Sequence, residues 1–339
     1  MKATTKRRFG RTDLDVTAMG FGAGPIGNLF EAVSESDAEA VIDAAWDAGI
    51  RYFDTSPYYG HGLSEARVGR GLRWRPRESF VLSSKVGRVL KARPRASIDF
   101  GAWVDPLPNA FDFDYSYDGT MRSFEDSLQR LGLERIDILW IHDCDVFTHG
   151  PERQKHWFRQ AMDGAWTALE QLRSEGLVKS IGLGVNEWQV CHQALIERDF
   201  DSFLLAGRYT LLEQEALDKF LPLCEERKVA IVLGGGFNSG ILAKGAVPGA
   251  RYNYAPAPET ILERVRRIEA VCTAHGVPLP AAALQFVLAH PAIPTVPAGV
   301  RTVGQLAQNV AWIEHPIPPG FWSELKAQGL LRDDAPVPA

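Results

Sequence analysis

Short apolar runs alternate with stretches of helical period about eight times along this chain, and that alternation restricts its possible folds more than any other feature. The runs cover residues 18–22, 50–53, 80–84, 136–141, 180–184, 203–205, 229–233 and 293–296. They are apolar at nearly every position, not every second one, so each is expected to be a strand buried on both faces, as in parallel sheets. Residues 36–48, 64–72, 119–131, 158–174, 189–197, 214–226, 260–275, 279–289 and 303–313 read as helices, with a short helical tail after Pro319. In 36–48 the residues Ala38, Val41, Ile42, Ala45 and Trp46 share one face, and Gly49 ends the pattern.

Units of this kind build an α/β fold, either an open wound sheet or a closed barrel. A chain of 339 residues, 45% of them apolar, has the length and the core for a (β/α)8 TIM barrel, and that is the fold expected here. No linker-like stretch or composition shift divides it, so residues 1–339 read as a single domain. A glycine-containing turn within 8–16 predicts an N-terminal β-hairpin ahead of the barrel. The rhythm breaks at 88–116, where Pro94, Pro106 and Pro108 interrupt any period. A long loop after strand 3 is expected there, and such loops in compact domains are usually functional. Its aromatic residues Phe100, Trp103, Phe111, Phe113 and Tyr115 suit a lid over a site or packing against the barrel equally well.

In a parallel barrel the side chains at the carboxyl ends of the strands meet at one mouth. Asp54 ends the second apolar run, Lys85 follows the third and His142 follows the fourth. Tyr59 lies five residues beyond Asp54, on a loop that Pro57 and Gly60 bend back over the strand end. A lysine at the end of a buried strand is costly without a counter-charge, and Asp54 supplies one. An ammonium near the Tyr59 hydroxyl is expected to favour phenolate and lower its pKa from about 10. A tyrosine so tuned exchanges a proton with a carbonyl or alcohol oxygen, while His142 hydrogen-bonds the same oxygen. Singly, each residue reads more readily as an ion pair, a loop aromatic or a core histidine. Four of them at successive strand ends point to catalysis.

The chain resembles the aldo-keto reductase superfamily over almost its whole length. The resemblance is carried by Phe53-Asp54-Thr55-Ser56-Pro57-Tyr58-Tyr59-Gly60 with Ser64-Glu65, by Ser84-Lys85-Val86-Gly87, by Ile138-Leu139-Trp140-Ile141-His142-Asp143, by Gly176-Leu177-Val178-Lys179-Ser180-Ile181-Gly182 and by Asn186. It implies a (β/α)8 barrel that uses NAD(P)H, with Asp54, Tyr59, Lys85 and His142 as the catalytic set. The stretches 113–120, 205–212 and 234–240 are similar to the branch that contains D-threo-aldose 1-dehydrogenase (L-fucose dehydrogenase) and pyridoxal 4-dehydrogenase. That branch implies oxidation of an aldose hemiacetal carbon, or of pyridoxal, to a lactone. A generic NADPH-dependent carbonyl reductase, and a non-catalytic barrel that binds nicotinamide to report redox state, are the competing classes.

Gly22-Ala23-Gly24-Pro25-Ile26-Gly27 has the spacing of a dinucleotide-binding turn, but Pro25 lies inside it and no helix is expected before Ser34. By resemblance this loop, with Gly22, lies near the nicotinamide. The better phosphate candidate is 234–240, where Gly236, Phe237, Asn238, Ser239 and Gly240 follow a strand and offer backbone N–H groups and side-chain donors. The resemblance assigns Asn186 to the carboxamide, and Gly299, Arg301, Gln305, Gln308 and Asn309 to the adenosine half. Ala298 and Gln305 stand where family members often carry Lys and Arg, and Gly234 stands where an aromatic often stacks on the nicotinamide. Only Arg301 is then left to pair a 2′-phosphate, so the cofactor is expected to be NAD or NADP, with NAD favoured.

Lys and Arg number 37 against 42 Asp and Glu, a net charge of −5 with no basic stripe, which points away from nucleic acid or membrane; the resemblance implies a small-molecule sugar or aldehyde as partner. No apolar segment follows the basic start of the chain, and none has membrane-spanning length, so a cytoplasmic protein is expected, as a monomer or small homo-oligomer. The four cysteines, Cys144, Cys191, Cys224 and Cys272, show no metal-binding spacing and read as buried thiols, and no metal is expected.

Overall fold

Each apolar run folds as a strand whose neighbours in sequence are its neighbours in space. A computed structural model describes residues 1–338. The chain opens with β1 (Lys6–Arg8) and β2 (Asp15–Thr17), an antiparallel hairpin, and then runs β3 (Met19–Gly22), α1 (Glu35–Asp47), β4 (Tyr52–Asp54), α2 (Leu63–Leu72) and β5 (Val81–Val86). A second hairpin, β6 (Arg88–Ala92) and β7 (Asn109–Phe113), precedes α3 (Tyr117–Leu131) and β8 (Ile138–His142). After β8, α4 (Val146–Gln160) passes through one π-helical turn into α5 (Trp166–Ser174). Next come β9 (Ser180–Val185), α6 (Trp188–Glu197), β10 (Ser202–Ala206), α7 (Phe220–Arg227) and β11 (Ala230–Gly234). The short elements α8 (Ile241–Lys244), β12 (Arg251–Tyr252) and β13 (Ala255–Pro256) lead to α9 (Glu259–His275) and α10 (Leu279–Leu288). The chain ends with β14 (Val296–Gly299), α11 (Val303–Glu314) and α12 (Pro319–Ala327).

Eight of these strands pair in the order β11-β10-β9-β8-β5-β4-β3-β14, with every pairing parallel. The ends of that order meet, because Val232 bridges Thr295 and Ile231 N–H donates to the Ala292 carbonyl at 2.8 Å. The sheet is therefore a closed barrel ringed by helices. β9 and β10 approach so closely at Gly182 that a Cβ there would lie 1.8 Å from the Ser202 carbonyl oxygen.

Two sets of buried side chains divide the core. The larger fills the layer between strands and helices. The smaller lies inside the barrel, where Tyr52, Ile138, Trp140 and Val232 pack with Phe9, Leu14 and Val16 of the hairpin segment. That hairpin plugs the amino end of the lumen, and function is left to the carboxyl end.

Four details differ from the sequence reading. The loop expected over 88–116 contains the β6–β7 hairpin, so the long irregular part is only 93–108; buried Arg88, Val89 and Leu90 anchor β6, which pairs from Arg88 opposite Phe113 to Ala92 opposite Asn109. The helix expected over 158–174 is preceded by helical residues from Val146, capped by the Asp145 carboxylate, which accepts from Thr148 N–H at 3.0 Å; Gly150, at φ 73° and ψ 160°, leaves helical geometry ahead of Pro151, so a kink separates that first turn from the longer helix. The helix expected over 214–226 splits into a 3-10 turn, Glu215–Asp218, and α7, because Lys219 leaves helical geometry. The last strand lies at Val296–Gly299, not 293–296, since Pro294 removes a ladder donor early in the run.

Candidate active site

The second and third strands of the barrel, β4 and β5, bring two opposite charges together before any substrate arrives. β4 and β5 pair in parallel with Asp54 opposite Ser83. Alternation along β5 then sends Ser83 and Lys85 into the lumen and Ser84 outward, where its hydroxyl donates to Glu65 Oε1 at 2.7 Å. Lys85 Nζ lies 3.0 Å from Asp54 Oδ1, 2.8 Å from Asp54 Oδ2 and 2.8 Å from the Thr55 carbonyl oxygen. Ser83 Oγ donates to Asp54 Oδ1 at 2.7 Å and meets Tyr52 OH at 2.9 Å, so the carboxylate is held from two sides. Burial pulls Lys85 below its ordinary pKa, and the attraction of Asp54 opposes that shift.

Tyr59 enters on a 3-10 turn, Tyr59–Gly62, that begins after Pro57 and needs the left-handed backbone of Gly60 at φ 63°. Lys85 Nζ lies 4.6 Å from the centroid of the Tyr59 ring, and the His142 ring lies 6.1 Å away, nearly perpendicular. His142 Nδ1 lies 3.2 Å from Ser56 Oγ and its Nε2 lies 3.4 Å from Asp143 Oδ2. Burial, then Arg88 and Lys85, push His142 well below its usual value, so it is a neutral imidazole that can present either a donor or an acceptor.

The expected acidification of Tyr59 is absent. Burial, with the negative charges of Asp54 and Asp143, raises the phenol well above 10. The reason is geometric. Both carboxylate oxygens of Asp54 and the Thr55 carbonyl take up the three Lys85 protons, leaving none for the phenol. Tyr59 is therefore a neutral donor, suited to protonate a carbonyl oxygen and to reclaim that proton in the reverse direction.

These groups line one end of a cavity of about 650 Å³ whose walls include Tyr58, Arg88, Trp103, Phe147, Asn186 and Tyr254. The segment 93–108 is stitched to the loop after β3, with Phe30 N–H donating to Ala102 O at 2.8 Å and Val104 N–H to Asn28 O at 2.9 Å. Trp103, 6% exposed, packs edge-on to Tyr58 and tilted to Tyr59, and its indole N–H has no partner among the described residues. The segment thus both packs on the barrel and roofs the cavity.

A second cavity, of about 910 Å³, continues from Tyr59 and Asp54 across the mouth. Of the expected cofactor residues, Gly22, Gly236, Phe237, Ser239, Gly240, Gly299 and Arg301 line it, and Asn186 lines the first cavity. Asn238 points inward instead, its amide donating to Gly207 O at 3.0 Å and Glu213 Oε1 at 3.2 Å. Gln305 accepts from Arg301 N–H at 2.9 Å, Gln308 is exposed on α11, and Asn309 is buried in it; none of the three lines the groove. Bare glycine backbone along a groove suits a dinucleotide, since a Cβ at Gly24 or Gly236 would stand in it with only ordinary contacts. Lys244 and Arg251 also line the groove, and Lys244 has no ion-pair partner among the described residues. Those two cations were not singled out from sequence; neither carries a local motif. The Gly22–Gly27 stretch makes one 3-10 turn, Pro25–Gly27, and the next helix waits for its Ser34 cap, so it opens no helix.

Two further residues escaped the sequence reading. Asp143, at φ 52°, follows His142, and its carboxylate takes Arg88 Nη2 at 2.8 Å and Asn186 Nδ2 at 3.2 Å. Arg88 is 4% exposed and lies against the faces of Tyr58 and Phe113 at 4.4 and 4.7 Å. The only available signal was the Asp that directly follows the strand-end His.

A barrel whose strand ends gather an Asp–Lys pair, a tyrosine and a histidine beside a glycine-lined groove is a site for oxidoreduction with a dinucleotide. The chain belongs to the aldo/keto reductase family, whose profile matches residues 18–329. It is 46% identical to pyridoxal 4-dehydrogenase of Microbacterium luteolum over 98% of this chain and 99% of that one. It is 42% identical to D-threo-aldose 1-dehydrogenase of a Pseudomonas species over 94% and 95%. Among solved structures it is similar to the holo form of an aldo-keto reductase from Bacillus halodurans, with a TM-score of 0.74, 25% identity and 97% of each chain covered. No single helix among the described residues is long and apolar enough to cross a membrane.

Proposed function

We propose that this oxidoreductase oxidises the C1 carbon of a cyclic aldose hemiacetal, of the L-fucose or D-threo-aldose type, to a lactone. The observation that carries the reading is the meeting of Tyr59, His142 and the Lys85–Asp54 pair at the junction of the two cavities. The anomeric hydroxyl lies between Tyr59 and His142. His142, neutral and tethered to Ser56, fixes the oxygen. The ring carbon loses its hydrogen as hydride, the hydroxyl proton passes to Tyr59 in its ionised form, which becomes the neutral phenol, and the C–O bond becomes the lactone carbonyl. Bound nicotinamide supplies the hydride acceptor. Lys85 and Asp54 hold the proton-bearing end of the site rigid, and enclosure beneath Trp103 keeps water from the oxygen.

Asn186, in the wall of the first cavity, is suited to hold the carboxamide, and Lys244, Arg251 and the 234–236 backbone to meet the pyrophosphate. NAD is the favoured cofactor. Arg301 spends one nitrogen on the Leu29 carbonyl at 2.7 Å and has Glu31 3.8 Å from another, an acidic neighbour that repels a 2′-phosphate.

One observation favours a second reading, pyridoxal as the substrate. The cavity wall is largely aromatic, with Phe30, Trp103, Phe147 and Tyr254 around its mouth, which suits a planar pyridine ring as well as an apolar sugar face. Pyridoxal also closes to an internal hemiacetal, so the proton and hydride steps are the same. Pure protein incubated with NAD or NADP and a panel of aldoses plus pyridoxal, read by the rise of reduced cofactor at 340 nm, decides. Signal from fucose and arabinose supports the aldose; signal from pyridoxal alone replaces it with the pyridine.

A further inference from the structure

Asp143 joins three parts of the site. Its backbone continues β8 past His142, and its N–H donates to the Gly184 carbonyl at 2.9 Å, so the catalytic strand is still pinned where the carboxylate begins. There the backbone turns left-handed, at φ 52°. That turn brings the carboxylate back beneath His142, with Nε2 at 3.4 Å, across to Asn186 on the neighbouring strand end, at 3.2 Å, and up to Arg88 of the roof hairpin, at 2.8 Å. Tyr115 OH donates to the His142 carbonyl at 2.7 Å and to that of Asp143 at 3.1 Å, which locks the turn.

A left-handed aspartate at a strand end costs backbone energy unless its surroundings hold it. A buried carboxylate costs more unless it is paired. Both costs fall at one residue, and the partners that offset them are the imidazole, the amide and the roof.

We propose that Asp143 is a positioning residue for the hydride-transfer reaction, its carboxylate holding His142 and Asn186 in register while Arg88 supplies the counter-charge from the roof hairpin. The roof thereby becomes part of the site, since displacement of β6 removes the cation that keeps Asp143 in place. This rests on the reading of His142 as the group that orients the substrate oxygen. The charged and titratable groups around Asp143 are His142, Arg88, Lys85, Asp145, Tyr59, Tyr115, Cys144, His149 and Tyr254. Burial, with Asp145, pushes the Asp143 carboxyl up to about 6 against the opposing pull of Arg88, so the anchor is ionised and engaged above that pH and released below it.

The test is Asp143→Asn, which keeps the shape and tolerates the left-handed backbone. It is compared with Arg88→Met and with the double variant, which removes both charges and leaves no stranded cation. Asp143→Asn is expected to lower kcat roughly tenfold or more with substrate KM little changed. It is expected to weaken NAD binding, read by protein fluorescence, roughly threefold, because the amide keeps only one of the two acceptor oxygens that Asn186 and Arg88 occupy. It should also erase an acid limb in kcat/KM that falls near pH 6 in the unaltered protein. The double variant should remain impaired. Recovery of the double variant to the unaltered rate overturns the proposal, because the single-variant loss then came from the stranded Arg88. Wild-type rate, NAD affinity and pH profile in Asp143→Asn overturn it as well. If the unaltered protein turns over no hemiacetal, the proposed activity fails and NAD affinity alone decides the role of Asp143.

Discussion

Lys85 Nζ lies 2.8 and 3.0 Å from the two carboxylate oxygens of Asp54, with both residues almost wholly buried. A pair this deep is neutral as a unit, and removing one member strands the other. Lys85→Met is expected to lower unfolding free energy by about 3–5 kcal/mol. Asp54→Asn combined with Lys85→Met should recover most of that loss while leaving the enzyme inactive. Urea unfolding of the three variants checks it, and a fully stable single variant would show that the pair is less desolvated than its geometry implies.

Tyr59→Phe removes only the oxygen proposed to exchange the proton. Turnover should fall by roughly 100-fold or more, with dinucleotide affinity unchanged. A fluorescence titration beside the rate measurement separates the two.

The raised phenol also sets a pH dependence for the unaltered enzyme. In the proposed mechanism oxidation needs Tyr59 as an acceptor, and its acceptor form grows as pH climbs toward a pKa well above 10. Oxidation rates should therefore keep rising from pH 7 to 10, while reduction, which uses the protonated phenol, stays level. Initial rates in both directions across that range provide the check; a plateau of oxidation near pH 8 would mean the phenol is more acidic than its burial implies.

Trp103 roofs the substrate end and does not line the glycine groove. Trp103→Ala should raise substrate KM roughly tenfold or more and leave NAD affinity alone. Steady-state kinetics at saturating NAD read the first, and titration the second.

Gly182 is needed because β9 and β10 touch there. Gly182→Ala forces a Cβ against the Ser202 carbonyl, 1.8 Å away, and backbone cannot yield as a side chain tip would. The cost is expected at the upper end of overpacking, about 3 kcal/mol. Thermal unfolding measures it.

His290 is fully buried, and burial lowers it to about 4 from an ordinary 6.5. The unfolded chain takes up this proton below pH 6.5 while the native one does not, so stability falls as pH drops from 6.5 toward 4. The slope is about 1.4 kcal/mol per pH unit for this group. His290→Asn should flatten that part of the stability profile in chemical unfolding at several pH values.

The strands, most helices and the set of Asp54, Tyr59, Lys85 and His142 were legible because each signal is local. Uninterrupted apolar runs mark strands buried on both faces, and a charged residue at the end of such a run has only the barrel mouth to enter. Helix starts were harder: the reading began this helix at Phe158, whereas helical residues start at Val146 under the Asp145 cap, with a kink at Gly150 between them. Asn238 read as a phosphate donor from its glycine neighbours, but Gly207 and Glu213, distant in sequence, claim its amide.

Sequence alone determined the barrel and which residues stand at its open end, since hydrophobic period and strand-end position survive without knowledge of any partner. Only the tertiary structure decided the protonation of Tyr59, the role of the roof, and the junction of Arg88, Asp143 and Asn186. Those depend on burial and on distances between strands, and Coulomb and desolvation energies are set by neighbours that no spacing along the chain reveals.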